Sequence, residues 1–142
     1  MNNKIEITSV WENDDLFEVQ IMASNGDFSG GAKCYAQRKE LMDLALSLEG
    51  FPKSLDHKVS YVEESENFSF FTLVFSCNSS WKVKVRVKIA QIMVYTNAPK
   101  VHDVVEFDMA IEPVAIDVFV SSLRVLAGAE IGTTKAVLNA KT

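Results

Sequence analysis

The sequence holds only two cysteines, Cys34 and Cys77, and neither has a second cysteine close by. That excludes a paired-cysteine zinc or redox motif and offers no disulfide framework, so both are expected to be buried thiols. Prolines number three and glycines six, too few and too scattered to form a linker. A single domain over residues 1–142 is expected. No apolar run approaches the roughly 20 residues that a membrane helix needs. Met1-Asn2-Asn3-Lys4 leads into alternating residues rather than an apolar signal core, so the expected location is cytoplasmic, with no membrane partner.

Catalytic signatures are missing as well. The sequence contains no phosphate-binding loop, dinucleotide fingerprint, nucleophile elbow or zinc-protease helix. The two histidines, His57 and His102, adjoin Asp56 and Asp103, but neighbours on a strand point to opposite faces, which disfavours a catalytic pair or a metal site. Gly26-Asp27-Phe28-Ser29-Gly30-Gly31 opens no helix that could face a phosphate, so it reads as turns, with Gly30-Gly31 a flexible corner. No catalytic residue, metal or cofactor is expected, and the chain is not read as an enzyme. Nor is there a basic excess: 14 Lys and Arg stand against 19 Asp and Glu, a net charge of -5. That balance argues against a dedicated nucleic-acid binder and suits a basic protein partner better.

What is present is a regular alternation of periods. Lys4 to Trp11 and Leu16 to Ser24 predict two strands joined at Asn13-Asp14-Asp15, and a short strand is predicted through Cys34-Tyr35. Leu41, Leu44, Ala45 and Leu48 then recur at helical spacing, predicting an amphipathic helix over about 38–49 that Gly50-Phe51-Pro52 ends. Strands are predicted around 57–63, 68–77, 81–95 and 104–111, with breaks at Glu63-Glu64-Ser65-Glu66-Asn67, Asn78-Ser79-Ser80 and Asn97-Ala98-Pro99-Lys100. Pro113 starts a second helix, with Ile116, Phe119, Val120, Leu123 and Leu126 as its stripe and Gly128 as its end. Residues 130–142 predict a loose tail or a short edge strand. The expected fold is therefore α+β: an antiparallel sheet of about five to seven strands with both amphipathic helices packed on one face.

Two surface features are candidate contacts. Glu63, Glu64 and Glu66 concentrate negative charge on what reads as an inter-strand loop, where a partner would reach them. Lys82, Lys84, Arg86 and Lys88 alternate with apolar residues, which puts four cations on one face of a strand, with Trp11 or Tyr95 as candidate stacking groups. That ladder would suit nucleic acid or an acidic partner, although Glu106 and Asp108 alternate on the next strand in a way that places them opposite the cations as a salt-bridged solvent face.

The order Phe17-Glu18-Val19-Gln20-Ile21, Asn25-Gly26-Asp27-Phe28-Ser29-Gly30, Tyr35, then Glu40-Leu41, Leu44-Ala45, Leu48 and Phe51-Pro52 resembles the WapI-type bacterial immunity proteins and their relatives. The charged strand Lys82 to Lys88 and a final helix after Glu112-Pro113 continue the pattern, so the resemblance covers about residues 4–127. It implies a small bacterial protein that binds and neutralises a cognate toxin domain, often a nuclease. No site residue is carried over from it. A non-catalytic protein-binding module is the leading expectation. A structural or assembly protein, or a binder of nucleic acid or an acidic partner through Lys82 to Lys88, are the alternatives.

Overall fold

A computed structural model describes residues 3–65, 69–93 and 101–139, without the side chains of 92, 93, 101 and 102. Eight strands and two helices follow one another as β1 (Lys4–Glu12), β2 (Phe17–Ser24), β3 (Ser29–Ala36), α1 (Arg38–Leu48), β4 (Val59–Ser65), β5 (Ser69–Cys77), β6 (Val83–Met93), β7 (Val101–Ile111), α2 (Pro113–Gly128) and β8 (Lys135–Asn139). The fold is α+β and its strand pairings are antiparallel, as the sequence implies. The strands divide into two four-stranded sheets, in the orders β3-β2-β1-β8 and β4-β5-β6-β7, rather than one sheet of five to seven.

β3 accounts for the division. Its residues meet β7, β6, β5 and β4 in turn. Gly30 lies against Val105 of β7, and Gln91 of β6 donates to the Gly31 carbonyl at 3.0 Å. Ser69 of β5 donates to the Lys33 carbonyl, and the Tyr35 N–H donates to Ser65 Oγ of β4 at 2.8 Å. One edge of the first sheet therefore crosses the second, and side chains rather than a ladder satisfy its main chain. The expectation of a flexible corner at Gly30-Gly31 is corrected accordingly. Both residues sit inside β3, and a Cβ on Gly30 would stand 2.5 Å from Val105 Cγ1, so glycine is there for close approach. The turn before it does need conformational freedom: Gly26 has φ +96°, and Asn25 Oδ1 accepts from the N–H groups of Asp27 and Phe28.

One apolar cluster fills the space between the sheets and helices. Ile5, Ile7, Val19 and Ile21 enter from the first sheet, Phe71, Leu73, Phe75, Val85 and Val87 from the second, and the two helical stripes close it. Leu41, Leu44, Ala45 and Leu48 of α1 are buried, as are Ile116, Phe119, Val120, Leu123 and Leu126 of α2. The Phe75 and Phe119 rings stack at 6.4 Å, which ties α2 to β5.

The 130–142 segment resolves in favour of its edge-strand alternative through Asn139: β8 pairs with β1 and buries Ala136 and Leu138. α2 ends at Gly128 as expected, without a left-handed turn there, since only Gly26, Gly50 and Gly132 among the glycines have positive φ. Arg38 satisfies carbonyls at that end. The predicted break at Asn97-Ala98-Pro99-Lys100 lies outside the described residues.

Candidate functional site

Arg38 begins α1, and its guanidinium reaches three other elements. Nε and Nη2 donate to the two carboxylate oxygens of Glu12 on β1, at 2.8 and 3.0 Å. Nη1 donates to the carbonyls of Ala127 and Ala129 at 3.2 and 2.9 Å, at the C-terminal end of α2, where carbonyls lack helical partners. The same group lies 4.6 Å from the centre of the Phe17 ring of β2. It fixes how α1 sits against α2 and the first sheet.

Glu40, two residues along, accepts a 2.7 Å bond from the Gln37 N–H and so caps the start of α1. Beside it lies β4, whose side chains alternate strictly between core and solvent. That alternation corrects the placement of the acidic run. Glu63 and Glu64 belong to β4 rather than a loop, because the pattern of Val59 and Tyr61 pointing inward continues through Glu63 and Ser65. Glu63 is 4% exposed, and its carboxylate accepts a 2.5 Å bond from the Tyr61 hydroxyl two residues earlier on the same face. Burial raises the Glu63 carboxyl from 4.5 to about 7; the Tyr61 bond works against that rise and the nearby Glu40 charge adds to it. The Tyr61 hydroxyl is held protonated far above its ordinary range, first by burial and then by the Glu63 charge. Glu64 is exposed, and Glu66 lies outside the described residues.

α1 and β4 enclose a groove of about 270 Å³, lined by Glu40, Asp43 and Ser47 on the helix side and by Ser60, Tyr61 and Val62 on the strand side. Among the described residues no lysine or arginine lines it, and Lys39 is held at 2.8 Å by Asp43. A second depression, of about 390 Å³, lies over the Gly30-Gly31 segment beside Met22, Lys4 and Glu6.

The basic ladder is built as the alternation implies, apart from Lys82, which precedes β6. Arg86 meets Asp108 at 3.1 Å and Glu106 at 3.4 Å, and Lys84 approaches Asp108 at 3.8 Å. Lys88 lies over the Phe70 ring at 5.7 Å. The two carboxylates of β7 thus answer much of the ladder's charge. Trp11 sits on β1 in the other sheet, and Tyr95 is outside the described residues.

His57 Nδ1 accepts from the Lys53 N–H at 3.1 Å and its ring packs 4.6 Å from Phe51, while Asp56 accepts from Ser54, so the histidine and its neighbour do not form a pair. The His102 side chain is not described. Cys34 is buried with its Sγ 3.2 Å from Ser69 Oγ, and burial raises its thiol, whereas Cys77 is half-buried at the sheet margin, contrary to expectation. Among the described residues no cluster of His, Cys, Asp and Glu is arranged to hold a metal ion, and no helix is long and apolar enough to cross a membrane.

The sequence missed the Tyr61–Glu63 pair, yet the signal was present: a carboxylate at the inward parity of an alternating strand. It also missed the α1–β4 groove, which depends on two segments separated by Glu49 to Lys58. Comparisons with protein-family models, with curated proteins and with solved structures give no match.

Proposed function

We propose that this chain is a non-catalytic protein-binding module of the immunity type, which neutralises a basic cognate toxin by holding it as a folded unit. The observation that carries this reading is the charge asymmetry of the surface. Glu40 and Asp43 line the α1–β4 groove, Asp43 paired with the exposed Lys39, Glu64 lies further along the strand, and among the described residues no lysine or arginine lines the groove itself. The lysine and arginine ladder, by contrast, is met by carboxylates of its own sheet. A net charge of -5 draws a positively charged partner, and the carboxylates give it a place to dock. The resemblance of the β2–α1 segment to WapI-type immunity proteins points the same way.

The test is co-expression with the product of the adjacent gene. That product should arrest growth alone, growth should recover when this chain is present, and the two should co-purify. A harmless neighbour contradicts the reading. So does purified protein carrying nucleic acid that high salt strips away, which would place function on the Lys82 to Lys88 strand.

A further inference from the structure

Two four-stranded sheets have four edges, and an uncovered edge is a template for another strand. β3 is covered along its length by side chains, and β7 and β8 are each covered in part. β3 is met by Gln91, Ser69 and Ser65. On β7, Asn25 and Asn3 donate to the carbonyls of Asp108 and Ala110. On β8, the Val137 N–H donates to Ser122 Oγ of α2.

β4 is the fourth edge. The Asn78 N–H bonds the Lys82 carbonyl at the β5–β6 turn. Since main-chain groups in an antiparallel ladder alternate in direction, Ser76 and Val74 then face β6, while Phe75, Leu73 and Phe71 face β4. Their partners are Val59, Tyr61 and Glu63, which leaves Ser60, Val62 and Glu64 to direct their N–H and C=O groups outward. No hydrogen bond among the described residues reaches those groups. Neither proline nor lysine guards the stretch, and Val62 at its centre is 52% exposed. Immediately outside lies the groove, with α1 as its far wall.

We infer that the outer edge of β4 takes up an extended, lysine- or arginine-bearing segment of the partner protein as a ninth strand, laid alongside β4 where α1 flanks the groove. This rests on the protein-binding reading above and names its mode. Unpaired main-chain donors and acceptors at a two-residue repeat match only an extended chain, and the flanking helix gives the added strand a wall for alternate side chains. Glu40 and Asp43, which line the groove on α1, favour cationic side chains on the side of that strand that faces the helix.

The probe is a short peptide of alternating lysine and valine, titrated into isotope-labelled protein and followed by amide chemical shifts and hydrogen exchange. Saturable shifts and new exchange protection are expected at Ser60, Val62 and Glu64, with shifts along Glu40 to Ser47. Methylating alternate peptide nitrogens should weaken binding at least about tenfold, because the peptide can then no longer pair. Val62→Pro should do the same while leaving the β5 ladder intact, since that N–H points away from it. A glutamate–valine peptide should not bind.

Shifts centred on Lys84 to Lys88, indifference to nitrogen methylation, or no saturable binding would each overturn the inference. So would a concentration-dependent dimer of the protein alone mapping to the β4 edge, which would make a second copy the occupant. If the neighbouring gene product still co-purifies undiminished with the folded Val62→Pro variant, edge pairing fails while the module reading stands.

Discussion

Tyr61 donates its hydroxyl to the carboxylate of Glu63 across two residues of one strand, with both side chains turned into the core. A carboxylate in that position is easier to keep protonated than ionised, and Glu63 titrates at about 7 instead of 4.5. The folded state therefore binds a proton more tightly than the unfolded chain, so this group's contribution to stability is fully present below about pH 4.5 and is lost as pH rises through about 7. Unfolding free energy should fall between pH 5 and 8 by up to about 3 kcal/mol from this group. Glu63→Gln, which keeps an acceptor for Tyr61 and removes the charge, should flatten that slope and raise the denaturant midpoint at pH 8. A slope unchanged by the substitution would show that Glu63 does not cause it.

Arg38→Ala should destabilise the fold by about 2 kcal/mol, through loss of charge-assisted bonds to Glu12 and to the carbonyls at the end of α2. Arg38→Lys keeps the charge but not the fork that spans both partners, so it should recover less than half of the loss in chemical denaturation. Full recovery by lysine would mean that charge alone matters there.

At Gly30, alanine would bring a methyl group against Val105, whose branched side chain has little freedom to move aside. A loss of about 1–3 kcal/mol is expected for Gly30→Ala, with part of it regained in the double variant Gly30→Ala, Val105→Ala. Additive losses would place the strain elsewhere.

Truncating Leu44, Leu48, Phe119 or Leu123 to alanine should cost about 2–5 kcal/mol each, because all four are buried where the helical stripes meet the sheets. Neutral midpoints at all four would contradict the assigned faces.

Much of the architecture is legible in residue periodicity. The spacing of Leu41, Leu44, Ala45 and Leu48 gives α1, the alternation from Val83 to Ile89 gives β6, and Glu106 and Asp108 do stand across from its cations. What periodicity does not carry is which strands share a sheet. That depends on β3 laying its edge across four strands through Val105, Gln91, Ser69 and Ser65, contacts between segments far apart in sequence. The acidic run misled for a local reason. Charge suggested a loop at Glu63, while the burial of Val59, Tyr61 and Ser65 on the same face carries the strand through it. The candidate groove was invisible because its two walls come from different elements.

The most direct measurement is the affinity of this chain for the co-purified neighbouring gene product, by calorimetry at low and high salt, after two charge reversals. Asp43→Lys with Glu64→Lys is expected to weaken binding at least about tenfold and to flatten its salt dependence, while Lys84→Glu with Arg86→Glu should leave affinity nearly unchanged. Greater loss on reversing Lys84 and Arg86 than on reversing Asp43 and Glu64 would contradict the assignment of the acidic α1–β4 face as the site of contact.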